Sequence, residues 1–257
     1  MSWCGWARSR PLERQERVRG FRIAMGSRSS GLAGRTVRVS PGPEGFDRSM
    51  FEHVASVLQR GGIVAYPTET LYGIGVDPFH PTAVERLFQL KGRPETMPVS
   101  LIVRDLEMLA GLVESLSPIA ERIVRTFLPG PLTVVLPARK GLPEAITAAS
   151  GKVGLRISSH PLLSGLFMFY PFPLTSTSAN PSGQPPATDA GMVQEYFPEG
   201  IDCLIDAGPT PLGMPSTVID LCGERPVVLR EGALSRAEFY SRLGPLPPDG
   251  PPTGPMG

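Results

Sequence analysis

Residues 66–100 read YPTETLYGIGVDPFHPTAVERLFQLKGRPETMPVS. Just upstream, Gly61-Gly62 ends an amphipathic stretch, and Ile63, Val64, Ala65 and Tyr66 form a short apolar run stopped by Pro67, the pattern of a strand. Thr68, Glu69 and Thr70 then place hydroxyls and a carboxylate at the strand's carboxyl end, where open α/β sheets bind ligands. Gly73 and Gly75 are expected to keep the ensuing turn free of bulk, and Tyr72 reads equally as a core aromatic. From Pro81, the residues Val84, Leu87, Phe88 and Leu90 share one helical face, so Lys91 lies in the last turn, Gly92 at the terminating position and Arg93 just beyond. Strand, polar turn and amphipathic helix in that order set an α/β class.

Each polar group here has two readings. Thr68 and Thr70 either cap backbone groups in a connecting turn or face a ligand. Lys91, Gly92, Arg93 and Pro94 either form an ordinary helix stop or present two fixed cations to a polyphosphate, a planar fork and a point charge. A second stretch bears on the choice. Residues 173–188, PLTSTSANPSGQPPAT, start apolar and run into four consecutive hydroxyl residues, Ala179, Asn180 and a Pro/Gly-rich loop. Neutral donors and acceptors of this kind suit a nucleotide or the polar ends of an amino acid, while a lone Ser-Ala-Asn would be an ordinary turn.

Outward from these stretches, periodicity predicts helices at 46–60, 82–91, 106–113, 118–127, 190–197 and 235–243. Strands are expected at 63–66, 99–103, 132–136, 153–157, 174–177, 203–206, 217–221 and 227–230. Mixed order implies a twisted central sheet flanked by helices.

The two stretches together resemble the YrdC-like threonylcarbamoyl-AMP synthases, which carry Lys-x-Arg on one segment and Ser-x-Asn on another. The resemblance runs from about Gly61 to Gly232 and takes in YPTETLYGIG, KGRP with MPVSLIV, LPGPLTVVL, VGLRIS, STSANPSG, PSTVIDL and VVLREGAL in the family's order. It implies a mixed sheet with a large concave ligand cavity. It also implies an enzyme that joins L-threonine, bicarbonate and ATP, the last with Mg²⁺, into threonylcarbamoyl-adenylate and pyrophosphate. A separate transferase then moves the group to tRNA. By the same resemblance, Thr70, Arg156, Ser176 and Ser216 are threonine contacts, while Lys91, Arg93, Ser178, Asn180 and Arg230 face ATP. Lys91 and Arg93 are expected as electrostatic stabilisers of the phosphoryl-transfer step rather than as acid and base. Read without the family, Arg156 and Arg230 are equally surface arginines of strands. The sequence departs from the family pattern at Met97, Lys152 and Pro186, which bears on secondary ATP contacts; Lys152 reads either as charge for a phosphate or as a solvated lysine. The metal ligands are open, because ATP carries Mg²⁺ largely on phosphate and water.

Other chemistries find no support. There is no GxxxxGK[ST] run and no GxGxxG after a strand. Cys4, Cys203 and Cys222 form no CxxC pair, which argues against zinc modules and against the related hydrogenase-maturation carbamoyltransferases. His53, His80 and His160 are scattered singly and read as surface or capping residues. The chain has 257 residues and a net charge of +1, but residues 1–40 hold nine Arg against Glu13 and Glu16, or +7, leaving about −6 for the rest. A body of that sign is a poor unaided RNA binder, which weighs against the alternative of a non-catalytic RNA-binding module and allows a weak tRNA contact at most. A basic, disordered leader over 1–37, a catalytic domain over 38–244 and a disordered Pro/Gly-rich tail over 245–257 are expected. Met25 is an alternative start, and the chain resembles the short, single-domain form of the family. A cytoplasmic location without a membrane span is expected, since the apolar stretch at 162–172 is short and broken by Pro.

Overall fold

The computed structural model describes residues 37–41, 45–94 and 96–245. The expected leader and tail, apart from Val37 and Pro245, lie outside the described residues. Ten strands form one mixed sheet. In chain order they are β1 (Val37–Val39), β2 (Val64–Pro67), β3 (Tyr72–Gly75), β4 (Ser100–Ile102), β5 (Leu132–Pro137), β6 (Lys152–Arg156), β7 (Leu174–Ser178), β8 (Cys203–Ile205), β9 (Thr217–Asp220) and β10 (Val227–Arg230). Their spatial order is β1-β8-β2-β3-β7-β4-β6-β5-β9-β10. The helices are α1 (Arg48–Gln59), α2 (Pro81–Lys91), α3 (Leu106–Ala110), α4 (Pro118–Phe127), α5 (Glu144–Thr147), α6 (Pro161–Phe169), α7 (Ala190–Tyr196) and α8 (Arg236–Leu243).

Alternation along the strands sorts side chains to two faces. On one face Ile63, Ala65, Leu101, Leu132, Val134, Leu136, Val153, Leu155 and Ile219 join a large core with α2, α4, α7 and α8. On the other, Val64, Tyr66, Ile102, Leu174, Cys203 and Ile205 pack under α1 and α6. The helices start where sequence allows. Asp47, His80, Asp105, Ser117, His160, Asp189 and Ser235 each accept a backbone N–H at a helix N-cap. Thus His80 and His160 are capping residues, and His53 is exposed. Helix α2 stops at Gly92, whose φ of 58° is left-handed.

One expectation is corrected, and three elements are added to the sequence reading. Residues 72–75, read as part of a turn, are strand β3, antiparallel to both β2 and β7. The turn is confined to 68–71, where the Thr68 hydroxyl donates to the Leu71 carbonyl at 2.7 Å. Gly75 is needed inside the strand because a Cβ there would lie 2.6 Å from the Thr175 carbonyl oxygen and 2.8 Å from the Tyr66 ring. Among the additions, the apolar stretch after His160 is helix α6, with Pro161 at its first turn. It packs on α1 so closely that a Cβ at Gly165 would run into the Phe51 ring. Strand β1 and helix α5 likewise have no counterpart in the sequence reading. Among the described residues no helix is long and apolar enough to cross a membrane.

Candidate functional site

The face shared by Ile102 and Leu174 also carries the cleft. On β4 to β7 and β9, Ser100, Thr133, Arg156, Ser176, Ser178 and Val218 point away from the large core and line a cavity of about 320 Å³. Register aligns them: Ser100 pairs with Ser176, Ile102 with Arg156 and Thr133 with Val218. Gly154 keeps the floor open, since a Cβ there would lie 2.6 Å from the Ser100 hydroxyl. The rim comes from Thr68, Thr70 and Leu71 of the turn, Tyr72 and Gly73 at the start of β3, and Arg93, Pro98, Pro186, Pro215, Ser216 and Arg230.

Arg156 is only 6% exposed. Its Nη2 donates to the Thr70 hydroxyl at 2.9 Å and lies 2.9 Å from Glu69 Oε1, and its Nε donates to the Gly130 carbonyl at 3.3 Å. Among the described residues Nη1 has no protein hydrogen-bond partner, so one edge of the fork remains for a ligand. Glu69 is buried behind it and also accepts a hydrogen bond from the Ser158 hydroxyl. Burial drives the Glu69 carboxyl upward, but the Arg156 charge and the Ser158 and Arg156 hydrogen bonds outweigh it and hold the group below its ordinary range.

The other cations are placed differently. Arg93 lines the cleft, with Nη2 donating to the Pro98 carbonyl at 2.7 Å and a buried Nε that has no hydrogen-bond partner. Arg230 donates to the Ser216 carbonyl at 2.8 Å and reaches its hydroxyl at 3.4 Å, and that hydroxyl is 2.9 Å from the Thr133 hydroxyl. Burial lowers the pKa of Arg93 and Arg230, the latter also through the nearby Arg156 charge. Among the described residues neither has an acidic partner.

Lys91 does not line the cleft. Its ammonium is buried and donates to the carbonyls of Ser178 and, at 2.7 Å, Asn180, while its own carbonyl accepts from the Ser182 amide and hydroxyl at 3.1 Å. Burial and then the Arg93 charge push its pKa down to about 8. Asn180 donates to the Pro181 and Gln184 carbonyls at 3.1 and 2.6 Å, and its buried Oδ1 is unpartnered. The Lys-x-Arg and Ser-x-Asn segments therefore meet, with the lysine holding the second segment in shape. Lys152 is neither solvated alone nor in the cleft: it pairs with Asp220 at 2.8 Å.

Of the residues the sequence singled out, Thr70, Arg93, Arg156, Ser176, Ser178, Ser216 and Arg230 converge on the cleft, and Lys91 and Asn180 lie just behind its wall. Sequence reasoning missed Ser100 and Thr133 as lining groups, while Thr68 and Thr177, offered only as part of hydroxyl-rich stretches, also line the cleft. The Thr133 signal was present in LTVVLP, a single hydroxyl at the alternate position of an apolar strand.

Fold and cleft define a mixed α/β protein with a ligand site floored by strand hydroxyls and walled by guanidinium groups. The chain belongs to the Sua5/YciO/YrdC family, whose model, described as "Telomere recombination", matches residues 56–232. It is 38% identical over 192 residues to the threonylcarbamoyl-AMP synthase of Pyrococcus abyssi, a match over 75% of this chain and 56% of that protein. It is 36% identical to a putative threonylcarbamoyl-AMP synthase of Mycobacterium tuberculosis, over 79% of this chain and 92% of that one. The crystal structure of P. abyssi Sua5 complexed with L-threonine superposes with a TM-score of 0.77 at 36% identity, over 82% of this chain and 61% of that chain. The chain thus spans little more than half the length of its P. abyssi relative.

Proposed function

We propose that the protein is an L-threonylcarbamoyladenylate synthase, a nucleotidyltransferase that makes threonylcarbamoyl-AMP and pyrophosphate from L-threonine, bicarbonate and ATP. The observation that carries this reading is the Arg156 guanidinium, held by Thr70, Glu69 and Gly130 and open at Nη1, in a cleft that also holds Arg93 and Arg230, neither of which has an acidic partner among the described residues. The names of the relatives and the threonine in the P. abyssi complex point the same way. Residues 38–244 form the catalytic domain in this reading.

Arg156 holds the threonine carboxylate by charge-assisted hydrogen bonds from its free Nη1. Thr70, Ser176 and Ser216 offer hydroxyls to the rest of the amino acid. The threonine amine condenses with bicarbonate to a carbamate, releasing water. A carbamate oxygen then attacks the α-phosphorus of ATP, the bond to the β-phosphate oxygen breaks, and pyrophosphate leaves with the electron pair. Charge grows on phosphate oxygens, so Arg93 and Arg230 act by position and field rather than by proton transfer. Lys91 keeps the Ser178 to Ser182 loop in place and has a third N–H to offer. Ser178 lies at the nucleotide end, and Asn180 shapes its loop there.

Among the described residues no group of three His, Cys, Asp or Glu could hold an ion. The site therefore does not fit a protein cage for Mg²⁺, and no step here runs through the metal. In this reading the product passes to a separate transferase acting on tRNA in the cytoplasm.

The test incubates purified protein with ATP, Mg²⁺, bicarbonate and labelled L-threonine, without RNA. A threonine-dependent adenylate with matching pyrophosphate is expected, and Arg93→Ala and Arg156→Ala should each lower its rate by roughly a hundredfold or more. Binding of tRNA with no adenylate would instead favour a non-catalytic RNA-binding module.

A further inference from the structure

The cleft sets a sorting problem. Among the described residues three guanidinium groups and no carboxylate line it, and its two substrate ends differ by several negative charges: an amino acid is a zwitterion, whereas ATP brings a polyphosphate. Cations alone cannot tell the ends apart, because a triphosphate outcompetes a single carboxylate at any bare arginine cluster. What differs between the arginines is their backing. Arg93 rests on the Pro98 carbonyl and Arg230 on Ser216, both neutral. Arg156 rests on Glu69, a carboxylate 7% exposed and 2.9 Å away, whose other oxygen is held by the Ser158 hydroxyl. Ser158 is fixed in turn, its hydroxyl accepting from the His160 amide at 3.2 Å. The Glu69 backbone carbonyl also accepts from the Leu212 amide at 3.1 Å, which ties the main chain of this turn to the loop that leads to Ser216.

We propose that Glu69 is a specificity-determining residue: by cancelling the Arg156 charge from behind, it makes that end of the cleft select a zwitterionic amino acid and reject polyphosphate, which is left to Arg93 and Arg230. This rests on the synthase reading above. Glu69 does not line the cleft, so it acts through Arg156 rather than on substrate. The paired Arg156 keeps its directional donors and loses its net charge. A carboxylate with an adjacent ammonium fits such a site by hydrogen bonds, while a phosphate chain meets the Glu69 field without a compensating cation.

The experiment measures inhibition by inorganic tripolyphosphate in steady state. In the wild type, inhibition should be competitive against ATP and not against threonine. In Glu69→Gln, which keeps shape and removes charge, tripolyphosphate should become competitive against threonine as well, with a threonine KM raised by roughly tenfold and an ATP KM within about twofold. Glu69→Asp, which restores the charge, should return the wild-type pattern. A purely structural role would move stability or kcat but create no new competition. Wild-type inhibition that is already competitive with threonine overturns the proposal without needing a variant, and so does a folded Glu69→Gln with an unchanged pattern. If no adenylate forms at all, the synthase reading fails separately, and calorimetric binding of L-threonine with and without tripolyphosphate reads the same competition; a wild type that binds no threonine overturns both.

Discussion

Truncating Arg156 to alanine leaves the Glu69 carboxylate buried beside Ser158 with no cation. Breaking one side of a buried pair costs about 3–5 kcal/mol, which a urea titration of the variant should show. The pH dependence follows from the sign of the shift. Glu69 sits below its ordinary pKa in the folded protein, so its stabilisation is present above the ordinary carboxylate range and disappears as pH falls through the lowered folded value. In Arg156→Ala burial, the largest single influence, is opposed only by the hydrogen bonds from Ser158 and from the Glu69 amide, and stability should instead fall as pH rises through that range. Lys91 has a linkage of the same sign as wild-type Glu69, displaced to higher pH. Its folded value of about 8 lies below the usual 10.5, so the folded state holds fewer protons between the two and gains stability as pH rises across that window. Melts of Lys91→Met should lack this rise, and the variant should lose about 1–3 kcal/mol near neutral pH because the Ser178 and Asn180 carbonyls lose their donor.

Among elements, those with clear periodicity were legible: α2 and α4 follow their apolar spacing, and β5, β7 and β10 fall within a residue of expectation. What escaped had no such signal. β3 is half glycine, and glycine disfavours a strand unless tertiary crowding demands it. α6 buries Leu162, Leu163, Leu166 and Phe167, but its exposed face carries Pro161, Ser164 and Met168, too little polarity to give the sequence a clear amphipathic period. The site divides in the same way. Lys91, Arg93, Ser178 and Asn180 sit in recognisable motifs, whereas Ser100 and Thr133 are lone hydroxyls in apolar strands whose meaning depends on which face they reach. Gly75→Ala tests the crowding at β3. The added Cβ meets backbone of β7, so a loss of about 1–3 kcal/mol in denaturant midpoint measurements is expected, with little change if 72–75 were a free turn.

For the molecule as a whole, charge is unevenly divided, with +7 in residues 1–40 and about −6 in the remainder. Deleting residues 1–36, which hold eight of the nine Arg and stop short of β1, should therefore abolish unaided tRNA binding in filter assays at physiological salt while leaving threonine binding by calorimetry intact. Retained RNA affinity would mean that the cleft itself attracts nucleic acid. The placement of the site on the sheet has a further meaning. Core and cleft are the two sides of the same strands, so Leu155 and Arg156, or Leu132 and Thr133, are fixed by a single choice of register. A strand that slipped by one residue would drive Arg156 or Thr133 into oil and expose leucine to the ligand. Folding thus proofreads the chemistry: a misregistered chain is rejected for its interior before its cleft is ever sampled, and defects confined to activity must come from point changes on one side of the sheet.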